Sequence, residues 1–131
     1  MTDPVALLKT SKTIAVVGCS ATPGKDAHEI PKLMLSHGYD IIPVNPSAPE
    51  IFGRKAYKTL AEVPVPIDIV DVFRPSAEAP EVARQAVAVG AKALWLQLGI
   101  TSDEARRIAH DAGLAYVEDR CLKVEYRRMR H

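Results

Sequence analysis

The chain has 131 residues, of which 47% are hydrophobic, 25% are charged and 5% are aromatic, and its formal net charge is +1. These values predict one domain over residues 1–131 and remove the simplest argument for a nucleic-acid binder. No apolar run reaches the roughly 18 residues of a membrane helix, no signal peptide is apparent, and the two cysteines are too few for a disulfide scaffold, so we expect a reduced, cytoplasmic protein.

Five short runs rich in apolar and β-branched residues are predicted as strands. In chain order they are residues 13–17, 40–44, 67–73, 93–96 and 114–117. The first and fourth are almost continuously apolar, which is typical of a parallel sheet covered on both faces. Pro43 has no N–H to donate to a neighbour, so we expect the second strand to be short, irregular or at an edge.

Helical periodicity separates most of these strands. The first helix is predicted to start near Ala27 or His28, and Ser76 and Thr101 are the predicted N-caps of the next two. Each helix is followed by a predicted terminator: Gly38, Gly90 and Gly113. With a helical C-terminal tail, this alternation predicts a doubly wound α/β domain with helices on both faces of a five-stranded parallel sheet.

Residues 47–65 interrupt the alternation. The segment is rich in proline and carries one possible helical turn at 59–62. Long connections of this kind in compact domains are often functional, and an excursion that merely replaces a crossover helix is the alternative.

In a doubly wound domain, ligands bind beyond the carboxyl ends of the strands, where the strand order reverses. This rule selects residues 18–25, 44–46, 73–75 and 97–99 as candidate ligand contacts.

The first candidate segment joins a strand to a helix and is suited to a phosphate. Gly18 permits a tight turn, the small residues after it let backbone N–H groups approach an anion, and the helix N-terminus adds positive potential. Its candidate binding residues are Gly18, Cys19, Ser20, Ala21, Thr22 and Lys25. Ser20 stands where a dinucleotide fingerprint has its second glycine, so a plain strand-to-helix turn is the alternative.

The second segment, Val44, Asn45 and Pro46, bears on the choice of cofactor. A typical NAD site has a carboxylate here to hold the ribose hydroxyls, and this chain has none before Glu50. The sequence therefore disfavours NAD and is compatible with a phosphorylated ribose, as in NADP or coenzyme A.

The remaining two segments supply polar groups at the same edge. Arg74, next to Phe73, could pair with a phosphate, or it could be a surface arginine bonded to an acidic neighbour. The other segment, Gln97, Leu98 and Gly99, offers amide groups to a polar ligand or is simply a turn that ends a strand.

No convincing catalytic or metal-binding set emerges from the sequence. His28 is expected to be a solvated residue of a first helical turn, and Asp68 and Asp71 receive no role. Cys19 is at a helix N-terminus beside Lys25, a setting that would lower its pKa and make it the more reactive thiol, but a small residue in a tight turn is the favoured interpretation.

Six motifs together resemble a known family. They are TIAVVG at 13–18, PVNP at 43–46, EIFG at 50–53, DIVDVFR at 68–74, LWLQLGI at 94–100 and DRC at 119–121. Over nearly its full length, the chain resembles the small stand-alone CoA-binding domain proteins, which are similar to the N-terminal domain of the succinyl-CoA synthetase α subunit. The resemblance implies a Rossmann-like domain that binds coenzyme A and has no established catalytic activity.

The resemblance also implies a distribution of the ligand over the site. The phosphates would lie at loop 18–25, the adenosine near residues 44–46, and the rest of the ligand along Phe73, Arg74 and residues 97–99. Any of Arg54, Lys55 or Lys58 could reach the 3′-phosphate.

The resulting prediction is a non-catalytic module with CoA or acyl-CoA as its small-molecule partner, and without nucleic acid or membrane. The alternatives are an NADP-dependent oxidoreductase and a ligand-sensing regulatory subunit of an acyl-CoA enzyme.

Overall fold

Helices and strands alternate along the computed structural model, which describes residues 2–130. In chain order the elements are α1 (Pro4–Thr10), β1 (Thr13–Val17), α2 (Asp26–Ser36), β2 (Asp40–Val44), β3 (Glu50–Ile51), β4 (Arg54–Lys55), β5 (Ile69–Val72), α3 (Ala79–Ala88), β6 (Ala93–Leu96), α4 (Asp103–Asp111), β7 (Ala115–Val117) and α5 (Leu122–Met129). Short 3-10 turns lie at Leu60–Glu62 and Ser76–Glu78.

The central sheet is parallel, with the strand order β2-β1-β5-β6-β7. The order reverses between β1 and β5, because the chain runs outward to β2 and then returns to the other side of β1. The predicted doubly wound, Rossmann-like fold is confirmed. Strands β1, β2 and β6 have the predicted bounds, whereas β5 and β7 are shorter than predicted.

Strand β2 lies at one edge of the sheet, as Pro43 predicts. Tyr57 covers part of its outer side: the Tyr57 N–H donates to Pro43 O at 3.0 Å, and the Asn45 N–H donates to Tyr57 O at 2.8 Å. The proline therefore costs the sheet no ladder hydrogen bond, since a partner strand is absent on that side.

Two apolar layers cover the two faces of the sheet. Helices α1, α2 and α5 cover one face, where Leu8, Met34 and Leu122 pack around Trp95. Helices α3 and α4 cover the other face with small side chains, including Ala83 and Ala109. Burial on both faces accounts for the nearly continuous apolar character of the central strands.

Two predicted N-caps are wrong. Ser76 lies in a 3-10 turn before α3, and its hydroxyl accepts a hydrogen bond from the Thr101 N–H at 3.1 Å instead of capping the helix. Helix α4 is capped by Ser102, whose hydroxyl accepts from the Ala105 N–H at 3.0 Å, one residue later than predicted. The predicted glycine terminators each lie two residues past the end of a helix.

Two other regions differ from a simple alternation. Helix α1 was not predicted; Asp3 caps it and Leu8 anchors it in the core. Residues 47–65 form the β3–β4 hairpin and the expected helical turn, at Leu60–Glu62, and no crossover helix. Because no crossover helix covers this region, a space stays open beside the carboxyl ends of β1 and β2.

Candidate functional site

A groove of about 790 Å³ lies at the carboxyl ends of β1 and β2, where the strand order reverses. We call it the carboxyl-edge groove. Of the predicted site residues it is lined by Gly18, Cys19, Ser20, Lys25, Val44, Asn45, Pro46 and Arg74. The structure thus brings together residues from three of the four segments that the sequence selects.

No crossover helix lies between β2 and β5, so the groove extends from the long connection to the uncovered start of α3. One side is formed by Lys58 and Thr59 of the long connection, and the opposite side by the first turns of α3. The α3 side presents Glu78, Glu81 and Gln85. A full crossover helix would cover this face of α3 in an ordinary doubly wound domain.

Gly18 brings the loop against the neighbouring strand end. Its φ is +87°, and a Cβ atom built there would lie 2.9 Å from Phe73 O and 2.9 Å from Arg74 Cδ. Its N–H donates to Val44 O at 3.1 Å. Glycine is required both by the backbone conformation and by the close approach of residues 73 and 74.

The loop leaves alternate backbone N–H groups free. Ser20 and Thr22 donate theirs within the loop and its helix, to Ala27 O and to the Ser20 hydroxyl. Within residues 2–130, no protein acceptor takes the N–H of Cys19 or Ala21, nor those of Asp26 and Ala27 at the start of α2. Free N–H groups converging at a helix N-terminus are suited to an anion.

Two side chains hold this loop from behind. His28 is only 8% exposed, and its Nδ1 lies 2.7 Å from Ser20 O; because a carbonyl oxygen only accepts, Nδ1 carries the proton. The expectation of a solvated His28 is therefore wrong. Asn45 donates from Nδ2 to Cys19 O at 2.9 Å, while its Oδ1 accepts from the N–H groups of Ser47 and Ala48.

The lowering of the Cys19 pKa by the helix N-terminus and Lys25 is not what the structure shows. The residue is fully buried beneath the loop. Burial, and secondly the nearby Asp71, raise the pKa of its thiol to about 12. Desolvation of the thiolate outweighs the helix N-terminus and Lys25, so the thiol stays protonated and inert near neutral pH.

The basic side chains around the groove differ in whether they form an ion pair within the protein. Within residues 2–130, Lys25 and Lys58 make no ion pair. Arg74 instead binds Glu78, with Nη2 at 3.0 and 2.9 Å from the two carboxylate oxygens. The alternative of an arginine bonded to an acidic neighbour thus describes Arg74 in this structure.

Of the three basic residues considered for a 3′-phosphate, Lys58 lines the groove. Arg54 pairs with Asp40, and the Lys55 ammonium lies over the Tyr57 ring, 5.2 Å from its centroid. Neither of them lines the groove.

The other predicted site residues lie outside the groove lining. Ala21 and Thr22 are exposed at the tip of the loop, and Phe73 packs partly buried against the core. Leu98 is 68% exposed, and the Gly99 N–H donates to Asp119 Oδ1 at 2.7 Å. Gln97 is buried and its Nε2 donates to Asp71 Oδ1 at 2.6 Å.

The side of the groove formed by α3 was not predicted from the sequence, because the rule that places ligands beyond the carboxyl ends of strands does not consider helices. A signal was available: Glu78, Glu81, Val82 and Gln85 are spaced i, i+3, i+4 and i+7, which places them on one stripe of a helix.

Within residues 2–130, no helix is long and apolar enough to cross a membrane, and no group of three or more His, Cys, Asp or Glu side chains could hold a metal ion.

Comparison with known proteins identifies the family. The family described as CoA binding domain matches residues 12–127. This chain belongs to the CoA-binding domain family. The family inferred from the six motifs is therefore confirmed.

Relatives include both small proteins and parts of larger ones. The chain is 42% identical over 120 residues to the uncharacterized protein YneT of Bacillus subtilis (strain 168), covering 92% of this chain and 89% of that protein. It is 37% identical over 87 residues to the alpha subunit of ADP-forming acetate–CoA ligase I of Pyrococcus furiosus, covering 62% of this chain and 19% of that subunit. Sequences similar to this chain thus occur both as a small protein of about the same length and as part of a larger ligase subunit.

Among solved structures, a hypothetical protein from Pyrococcus horikoshii OT3 superposes with a TM-score of 0.95 and is 38% identical. The match covers 100% of this chain and 94% of that chain. The likeness therefore extends over the whole CoA-binding domain and includes the connection 47–65.

Proposed function

We propose that this protein binds coenzyme A or an acyl-CoA in the carboxyl-edge groove and catalyses no reaction by itself. The observation that carries the proposal concerns one groove in a member of this family. The groove is lined by the N-terminus of α2, with its free Ala27 N–H, and by two lysines that form no ion pair within residues 2–130. Such a groove is suited to a ligand that carries phosphate at two separate positions.

The diphosphate of the ligand would lie at the start of α2, where the free N–H of Ala27 lines the groove, with Lys25 beside it. The 3′-phosphate would lie near Lys58 on the opposite wall. Asn45 supports this choice over NAD: its amide is occupied in holding the loop, and no carboxylate is present there to bind ribose hydroxyls.

The proposal is limited to binding because the candidate reactive groups at the groove are committed elsewhere. The Cys19 thiol is buried with a raised pKa, and His28 is occupied with the loop carbonyl. Catalysis in larger assemblies would then belong to other domains.

The test is a calorimetric titration of the purified, ligand-stripped protein with CoA, dephospho-CoA, NAD and NADP. We expect CoA to bind and dephospho-CoA to bind more weakly. Binding of NADP alone would replace this proposal with the oxidoreductase alternative, and binding of none would leave the proposal without support.

Two lysine variants sharpen the test. Lys58→Ala should weaken CoA binding about tenfold through loss of one charged hydrogen bond, and should have little effect on dephospho-CoA. Lys55→Ala is the matched control, since Lys55 is on the same connection but lies over Tyr57 outside the groove. Equal affinities of Lys58→Ala and Lys55→Ala for CoA would remove Lys58 from the site.

A further inference from the structure

Asp71 is a fully buried carboxyl group next to the carboxyl end of the central strand β5. Its neighbours in register are Val16 on β1 and Trp95 on β6, and both are fully buried. An acidic side chain at such a position is rare unless it is paired, so its presence requires an explanation.

The hydrogen bonding of Asp71 is incomplete. Oδ1 accepts from Gln97 Nε2, whereas Oδ2 has no partner among the described residues. Within residues 2–130, no lysine, arginine or histidine forms an ion pair with it. A carboxylate with one neutral side-chain donor in an apolar core is poorly compensated, and the protonated form is favoured. Burial raises the pKa of Asp71 to about 8, although Gln97 and the Val72 N–H oppose the rise.

The surroundings of Asp71 contain few groups that could titrate with it. On its face of the sheet the buried titratable residues are Cys19 after β1, His28 on α2, Tyr39 before β2, Cys121 before α5, and Glu125 and Tyr126 on α5. Glu125 is bonded to Arg128, His28 to the loop carbonyl, and Tyr39 to Leu8 O. Asp71 is in register with Val16 of β1, three residues before Cys19, so the carboxyl group is on the strand beside the one that leads into loop 18–25.

Asp71 is linked to the candidate site on two sides. Cys19 lines the carboxyl-edge groove and supplies one of its free N–H groups. Gln97, one of the predicted ligand residues, is held by Asp71 at the end of β6. Arg74 follows on the same strand end. A negative charge on Asp71 would therefore arise in the core next to the end of β1, from which loop 18–25 begins.

We propose that Asp71 is a positioning residue for the anionic ligand: it is held uncharged in the core next to loop 18–25, and its ionisation weakens binding. This inference rests on the proposed function. Two effects act together, because the new charge repels phosphate through a medium of low dielectric and also disturbs the packing that holds Cys19 and Gln97. By linkage, a bound polyanion makes Asp71 harder to ionise, so binding at alkaline pH takes up a proton.

The test measures the affinity for acetyl-CoA at pH 6.5 to 9.5 by calorimetry. Acetyl-CoA is the probe because its sulfur carries no proton, and its phosphates titrate near pH 6, below the window of interest. We expect the wild-type protein to lose about tenfold in affinity between pH 7 and pH 9, since only the protonated form binds well. Asp71→Asn, which mimics the protonated carboxyl, should keep a nearly constant affinity over this range.

A matched control lies on the same segment. Asp68→Asn removes a carboxylate at the other end of the strand, where Asp68 binds the N–H groups of Lys12 and Thr13. Its affinity should follow the wild-type pH profile. Repeating the titration near pH 8 in buffers of different ionisation enthalpy gives the proton uptake, which we expect in the wild type and not in Asp71→Asn.

The outcomes separate the two proposals. An affinity that falls equally in the wild type and in Asp71→Asn overturns the inference and leaves the binding function intact. No binding at any pH overturns the binding function and the inference together. If Asp71→Asn fails to fold, the wild-type measurement decides, because binding near pH 8 without proton uptake contradicts the inference.

Discussion

The two ends of the parallel sheet differ in how completely their polar groups are paired. At the amino end, Asp68 accepts from the N–H groups of Lys12 and Thr13 at 2.8 and 3.0 Å and faces Lys92 Nζ at 3.4 Å. These partners outweigh partial burial and hold the pKa of Asp68 below its usual value. The Asp40 N–H is also taken, by Lys12 O.

The carboxyl end is left open. Within residues 2–130, the N–H groups of Cys19 and Ala21, the ammonium groups of Lys25 and Lys58, and Asp71 Oδ2 have no hydrogen-bond or ion-pair partner. An unpaired polar group costs stability when it is buried, so the Cys19 N–H and Asp71 Oδ2, both in fully buried residues, point to a role at this end of the sheet. Asp68 and Asp71 lie three residues apart and represent the two ends.

The largest expected effect is on the pH dependence of the free energy of unfolding, which Asp71 and Asp68 change in opposite directions. Because the pKa of Asp71 is raised, the unfolded chain ionises first as pH rises, and the wild type loses stability from about pH 4 to about pH 8. Asp71→Asn abolishes that loss, which amounts to about 4 kcal/mol over this range. Urea unfolding of both proteins at pH 4 and pH 8 measures it.

Asp68→Asn provides the opposite case. The pKa of Asp68 is lowered, so its stabilising contribution is present above the unfolded value and disappears as pH falls through the folded value. The variant should be less stable than the wild type at pH 7 and equal to it in strong acid. Parallel pH dependences for the two variants would contradict the contrast between the two ends.

The next effect concerns the close approach at Gly18. Gly18→Ala should cost about 3 kcal/mol of unfolding free energy, because it combines an unfavourable φ with contacts at 2.9 Å to Phe73 O and Arg74 Cδ. Gly24→Ala, in the same loop, has a φ of +93° but no atom within 4 Å of the added Cβ. It should cost about 1 kcal/mol, which reflects backbone strain alone. Equal losses in urea unfolding would exclude a packing role for Gly18.

Much of the fold could be predicted from the sequence because the central strands are buried on both faces. Apolar runs mark them, and β1, β2 and β6 have the predicted bounds. Helix starts were less predictable, because tertiary contacts decide which hydroxyl caps a helix. The Ser76 hydroxyl accepts from the Thr101 N–H instead of capping α3, and Ser102 rather than Thr101 caps α4. Asp71 could not be assigned, because alternation along a strand does not reveal that a carboxyl group faces an apolar layer.

The candidate site was predictable only where a strand end defined it. The loop after β1 and residues 44–46 lie in the groove, whereas the α3 wall depends on a missing crossover helix. The Arg74–Glu78 pair likewise depends on how α3 follows its 3-10 turn.

That ion pair gives the smallest predicted effect. Glu78→Gln releases Arg74 and removes a negative charge from the groove, so CoA should bind about two- to threefold more tightly. The effect is small because exposed ion pairs contribute little. Glu104→Gln is the control for net charge, since Glu104 pairs with Arg84 and does not line the groove. Calorimetric titration of both variants measures the difference, and an identical gain in both would attribute it to net charge.

The most direct test of ligand binding at the carboxyl end is amide chemical-shift mapping during a titration with CoA. We expect the largest shifts at the free N–H groups of Cys19, Ala21 and Ala27, and unchanged shifts at Lys12 and Thr13, whose N–H groups are held by Asp68. Shifts concentrated at Lys12 and Thr13, or none at saturating CoA, would contradict the account.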